Sequence, residues 1–242
     1  EETRAARFRG RYSHEAAADT PSKLTATQLK GREKDEESAE EAVRPPMSAE
    51  TRSDLFRRPR FAEEELGLTA AQKGTAQHLA MQFLDFDQTD SPDAIRAEIE
   101  RLRRKRFLTD EQAEAVQPEQ LLAFFQSDIG RKLKNAKELH REFKFSLLAD
   151  AAEYYGPALA GEEVLLQGVI DCWFEDEDGI TVLDFKTDRV SEKTVSARAE
   201  EYRPQVETYC TALQRMTGKP VRNRVLWFFS LGRAVTLESA EK

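Results

Sequence analysis

VLLQGVIDCWFEDEDGITVLDFKT, residues Val164–Thr187, is the stretch whose reading decides the fold. Two apolar runs flank a turn that contains Asp178-Gly179, the signature of a β-hairpin. Strand side chains alternate between faces, so Asp184 and Lys186 point the same way and share their face with Val182. Leu183 and Phe185 then point to the other side. With Asp176–Gly179 as the loop, Asp171 stands opposite Asp184; a two-residue slip would set it opposite Lys186 instead. Either register gathers two carboxylates and one ammonium on one surface. Carboxylates that face each other across strands repel, and aspartate is disfavoured in apolar runs such as GVIDCWF and TVLDFK. Either these are solvated strand residues on a half-exposed hairpin, or something offsets the repulsion. Lys186 is one candidate and a divalent cation is the better one. Hard oxygen ligands at this separation suit Mg²⁺ or Mn²⁺, bound through one or two carboxylates plus a substrate phosphate. Such an ion activates a water and stabilises a departing oxygen, while Lys186 orients or deprotonates that water or neutralises the developing charge.

Outward from the hairpin, a strand is expected over His140–Leu148, where Phe143 and Phe145 alternate with Glu142 and Lys144. Upstream, Thr69 caps a helix running to about Phe86, with Ala76, Leu79, Ala80 and Phe83 on its apolar face. Ser91 or Pro92 starts a second helix that ends in the basic run Arg101–Arg106. Thr109 and Pro118 begin two short helices, through Ala115 and Phe125. Downstream, 196–217 reads as a helix with Tyr202, Val206, Tyr209, Leu213 and Met216 on one stripe, stopped by Gly218 and Pro220. VRNRVLWFFSL is the final strand. Helices, three strands, a helix and a strand make a mixed-layer α/β fold whose last strand is reached by a helical crossover.

Among the 242 residues, 34% are charged and 39% hydrophobic, and fourteen Phe, two Trp and five Tyr suffice for a core. A net charge of −8 excludes a uniformly basic DNA-coating protein, so any nucleic-acid surface must be local. Three sets qualify: Arg96–Arg106 and Arg131–Lys144, with six basic and two acidic residues each, and Arg222, Arg224 and Arg233. They line a channel for a single strand or are simply solvated faces. No apolar run approaches the roughly 18 residues of a membrane span, and EETRAARFRG has no signal-peptide core. Cys172 and Cys210 suit a reducing, cytoplasmic setting and are too few for a four-cysteine iron–sulfur cluster. No G-x-x-x-x-G-K-[ST] loop occurs, so no helicase motor is expected. Residues 1–60 show little periodic hydrophobicity, and the run REKDEESAEEAVRPP reads as a linker. The expected division is therefore an N-terminal arm over 1–60 and a folded domain over 61–242.

Asp171, followed by Asp184-Phe185-Lys186, resembles the site of the PD-(D/E)XK nuclease superfamily. TPSKLTATQLKGR, RPRFAEEELGLTAAQKGTAQHLAMQFLDF, REFKFSL, QGVIDCWFE, VLDFKTDRV and YRPQVETYCTAL follow in the order of its RecB-type branch, and within that of AddA-type helicase–nucleases. The resemblance implies a restriction-endonuclease-like core, a central mixed sheet flanked by helices. It implies that His78, from Gly74-x-x-x-His78, joins Asp171, Asp184 and the Phe185 carbonyl as metal ligands, and that Lys186 is the catalytic lysine. Glu142 matches an acidic position on the first strand, and Gln205 and Tyr209 match a Gln-x-x-x-Tyr motif against substrate. By themselves, His78 is equally a surface histidine, Glu142 a solvated strand residue, and Tyr209 a core ring with only its hydroxyl available. The implied function is a Mg²⁺-dependent exonuclease domain acting on DNA single strands in double-strand-break processing and recombinational repair. The implied partners are an AddB-type protein and the helicase portion of the parent polypeptide, with no membrane and no iron–sulfur cluster. The competing readings are a non-catalytic DNA-end-binding scaffold of the same fold and a hydrolase of another phosphate ester.

Overall fold

A computed structural model of the chain describes Ala17, residues 20–30 and residues 68–238. The acidic run 32–46 and the proposed boundary near residue 60 lie outside the described residues. Of the segment read as an arm, residues 20–30 belong to the fold: β1 (Lys23–Thr25) pairs in parallel with Leu165–Gln167, and Leu24 and Ala26 are buried in the core.

Five helices come next. In α1 (Ala70–Phe83), Thr69 accepts the Gln72 N–H while Gln72 reaches back to the Thr69 N–H, a complete capping box. The helix stops at Phe83, three residues before the expected end, because Leu84 turns to an extended ψ of 142°. Two arginines take the carbonyls that this exposes. Arg141 Nη1 donates to Leu84 O at 2.7 Å and Met81 O at 3.3 Å, and Arg101 Nη2 donates to Phe83 O at 3.0 Å. In α2 (Pro92–Arg104), Ser91 is the N-cap, and the C-terminus closes with Phe107 N–H on Leu102 O and Arg106 N–H on Arg103 O. That is the Schellman pattern, with Arg106 at φ 62° where glycine is usual. After α3 (Asp110–Ala115) and α4 (Pro118–Gln126), α5 (Asp128–Lys134) was not expected. Only Ser127 separates it from α4: its hydroxyl donates to Phe124 O and accepts the Gly130 N–H, so one residue closes one helix and caps the next.

The sheet is built on a long hairpin. β2 (Glu138–Asp150) exceeds its expected length at both ends and runs antiparallel to β3 (Glu163–Asp176), after the single-turn α6 (Ala152–Tyr155). β3 turns into β4 (Gly179–Lys186) through Glu177-Asp178, with Asp176 opposite Gly179 and Cys172 opposite Leu183. This is the register that heads Asp171 towards Asp184. The crossover helix α7 (Val195–Thr217) leads to β5 (Val221–Phe228), parallel to β4, and a short β6 (Arg233–Thr236) folds back where one last strand was expected. The order is β1-β3-β4-β5-β6 with β2 on the other edge of β3.

Alternation along β4 sends its side chains into two layers. Val182 joins the core beneath α7, with Val206 and Leu213, while Leu183 and Phe185 join the core beneath α1–α5, with Leu121 and Phe124. Full burial of residues such as Val206 and Leu213 contributes roughly 1.5–3 kcal/mol each. Among the described residues, no helix is long and apolar enough to cross a membrane.

Candidate active site

One edge of β3 is shared by two strands that do not meet. β1 covers Leu165–Gln167 and β4 covers Cys172–Asp176, so neither reaches Gly168–Asp171. At the end of this gap the sheet also changes face. Ile170 and Phe143 point to the α7 layer, yet Cys172 and Leu139, of the same parity as each, point to the α1–α5 layer. The ladder pairs Arg141 with Cys172 and Phe143 with Ile170, which leaves Glu142 opposite Asp171 at the crossing. Glu142 takes φ 51°, a left-handed conformation that strains a residue with a side chain.

The gap collects the expected residues. Asp171 Oδ2 accepts the Phe185 N–H at 2.8 Å, so a side chain replaces the ladder where β3 and β4 part. His78 reaches in from α1, with Nδ1 3.5 Å from Asp171 Oδ2. One potential ligand atom each from His78, Glu142 and Asp171 lie within 4.8 Å of one another. Glu142, expected against substrate, thus stands with the two metal candidates. Phe185, expected to offer its carbonyl, engages Asp171 through its N–H. From the α7 side, Lys186 Nζ lies 2.7 Å from Asp184 Oδ2 and donates to Gln205 Oε1 at 3.3 Å. Gln205 Nε2 donates in turn to Tyr209 Oη at 2.7 Å. The Tyr209 ring is buried edge-on to Phe145, so the hydroxyl carries its link to the site. Asp184 is 1% exposed and Lys186 is 8% exposed.

Burial, then Asp184, hold the Asp171 carboxyl well above the usual carboxylate range, and Glu142 adds to this; Lys186 and the Phe185 N–H oppose it. Asp184 Oδ2 faces the Lys186 ammonium, yet no donor is aligned on it for a hydrogen bond. Crowded acids and a buried oxygen lacking a directed donor are the surroundings that a hard cation satisfies, so the donor set fits a divalent metal.

The basic sets have other occupations. Arg96 pairs with Asp93 and Glu119, Arg101 with Glu98, and Arg103 with Glu100 and Asp110. Arg131 pairs with Asp128, Lys132 with Asp178, Lys134 with Asp90, and Arg224 with Glu207. Arg233 pairs with Glu192. Much of the local positive charge is thereby balanced in place. Three residues beside the lysine escaped sequence reasoning: Tyr202, Asp188 and Arg198. The available signal was spacing, because 198, 202, 205 and 209 lie on one face of α7.

An ATP-dependent helicase/nuclease protein of the AddA type from Bacillus cereus (strain Q1) is 36% identical over 241 residues, spanning 96% of this chain and 19% of the relative. The Acetivibrio thermocellus protein of the same name is 37% identical over 237 residues, 96% and 18%. The chain thus spans about a fifth of the length of these relatives. Residues 46–241 match the model of the PD-(D/E)XK nuclease superfamily, and with its acids and lysine gathered at the parting of β3 and β4, the chain belongs to that superfamily.

Proposed function

We propose that this chain is a metal-dependent deoxyribonuclease domain that hydrolyses phosphodiester bonds. The observation that carries the reading is the gap in the sheet, where Glu142, Asp171, Asp184, His78 and Lys186 converge from both layers. His78, Asp171 and Asp184, with Glu142 beside them, would hold Mg²⁺ or Mn²⁺. Such an ion supplies an activated water and neutralises charge on the leaving oxygen. Lys186, steered by Asp184 and Gln205, is placed to donate to a phosphate oxygen or to orient the attacking water. Tyr209 fixes the Gln205 amide from the far side. The Phe185 N–H keeps one oxygen of Asp171 in a set direction.

The relatives' name pairs a nuclease with a helicase. We infer that this domain acts as an exonuclease on single strands unwound by the helicase portion of the parent polypeptide. On that reading it works beside an AddB-type partner in double-strand-break processing. Asp184→Ala tests the chemistry. With 5′-labelled single-stranded DNA and Mg²⁺, the variant should lose cleavage while its circular dichroism matches the parent. Degradation at the parent's rate would overturn the assignment.

A further inference from the structure

Lys186 is held from three directions. Asp184 Oδ2 lies 2.7 Å from Nζ and Gln205 Oε1 lies at 3.3 Å. From a third side, Nζ stands 3.9 Å from the centroid of the Tyr202 ring. An aromatic face carries the negative part of the ring's quadrupole, and its pull on a cation grows when both have left water. Both have done so here: Tyr202 is fully buried and Lys186 nearly so.

The ring is itself fixed. Tyr202 Oη donates to Asp188 Oδ2 at 2.5 Å, and Arg198 Nε donates to the same oxygen at 2.6 Å. The Arg198 guanidinium lies 5.0 Å from the ring centroid. Ser230 Oγ, beyond the end of β5, donates to the Asp188 carbonyl at 2.6 Å. Asp188 follows Lys186 by two residues as the chain leaves β4, while Arg198 and Tyr202 are one turn apart on α7. The carboxylate therefore ties the exit of the lysine's own strand to the helix that packs over it. An ordinary core tyrosine needs only apolar neighbours and one partner for its hydroxyl. This one turns a face to the ammonium and its hydroxyl to an anchored carboxylate.

We propose that Tyr202 is a positioning residue for Lys186, with Asp188 and Arg198 holding its ring in place. A desolvated ammonium facing aliphatic atoms on that side would be free to swing about its stem. The ring face removes that freedom and keeps the amine aimed past Asp184 into the gap. The proposal rests on the reading of Lys186 as a group that acts in cleavage.

Tyr202→Met removes the ring at similar volume, and Tyr202→Phe keeps the face while losing the bond to Asp188. In the metal-free chain, proton NMR should place the Lys186 ε-methylene signal upfield of the other lysines, as ring shielding requires. Tyr202→Phe should keep that shift and Tyr202→Met should abolish it. Tyr202→Met should lower kcat about tenfold, equal to about 1.4 kcal/mol, with KM for single-stranded DNA within about twofold. Its Mn²⁺ affinity by calorimetry should stay within about twofold of the parent, since no proposed ligand is touched. On a Lys186→Met background, Tyr202→Met should cost nothing further. An unshifted Lys186 signal in the parent would overturn the proposal, as would an equal loss on both backgrounds or an unchanged kcat. The parent spectrum needs no variant to fold, so it decides even where Tyr202→Met fails to fold. If Lys186→Met cleaves as fast as the parent, the reading of Lys186 fails, and the spectrum still judges the placement of Tyr202.

Discussion

Asp171→Asn should separate the stability of the domain from its capacity for a cation. Asparagine keeps an oxygen for the Phe185 N–H and removes one of the crowded negative charges. In the parent, burial and Asp184 raise the Asp171 carboxyl in the folded chain above its unfolded value of about 3.9. A carboxyl raised by folding favours the fold below the unfolded value and loses that contribution as pH rises through the folded value. The metal-free parent should therefore lose stability relative to Asp171→Asn as pH rises through that folded value. A cation reverses the trend, because it displaces the proton and binds better as pH rises. With Mn²⁺ at about a hundred times its dissociation constant, linkage gives about 2.7 kcal/mol, or roughly 5–11 °C in Tm for a chain of this size. Thermal melts with and without MnCl₂, at about pH 5.5 and about pH 8, read both effects. The asparagine variant should lose most of the Mn²⁺-induced rise. A variant that kept the parent's rise, or a parent whose rise grew on acidification, would refute the reasoning.

Arg106→Gly should raise the urea midpoint by about 0.5–1 kcal/mol, since glycine relieves the left-handed φ of 62° at the end of α2 and gives back part in unfolded-state entropy. A lowered midpoint would show that the Arg106 side chain holds more than its backbone costs. Arg141→Met should destabilise by about 2–3 kcal/mol, because the Met81 and Leu84 carbonyls lose their donor. The acceptors are carbonyls rather than carboxylates, so the loss should be the same in low and high salt, and a strong salt dependence in denaturation curves would contradict this. Burial pushes the Cys172 thiol upward and the Cys210 thiol to about 12. At neutral pH a disulfide exchange reagent should label neither in the native chain and both after unfolding in guanidinium; rapid native labelling would show that one of the two layers opens.

Much of this was legible in the sequence because it rests on period and turn chemistry. Asp178-Gly179 fixed the hairpin, and the alternation of Val182, Asp184 and Lys186 against Leu183 and Phe185 assigned the two faces of β4. Thr69, Ser91, Thr109 and Gly218 marked helix ends that the structure keeps. What escaped depends on long-range geometry. β1 is a three-residue strand whose partner lies some 140 residues away, and nothing local in Lys23–Thr25 requires it. The basic runs looked like a nucleic-acid surface because sequence shows charge but not the carboxylates opposite, such as Glu119 beside Arg96 or Asp178 beside Lys132. Tyr202 was hidden by a rule that works: on a stripe with Val206 and Leu213 it is core, and only the fold reveals that its face meets an ammonium.

The place of the site follows from the same packing. A sheet covered by helices on both sides normally confines each layer to its own face, so a histidine on α1 and a glutamine on α7 have no common ground. They acquire one where the strands part and cross. Beyond Cys172 and Leu183 the β3–β4 ladder stops, and at Glu142 and Asp171 the two long strands exchange faces. There His78 approaches Asp171 from one layer while Gln205 reaches Lys186 from the other. The cost is visible in the left-handed backbone of Glu142, the raised carboxyl of Asp171 and the unaligned oxygen of Asp184. Strain of this kind persists where surrounding structure holds it, and here both cores do: Cys172 and Phe174 on one side, Ile170 and Phe145 on the other. Relieving the strain at Glu142 with glycine should therefore steady the fold and, by removing a carboxylate from the cluster with His78 and Asp171, weaken the hold on a divalent ion.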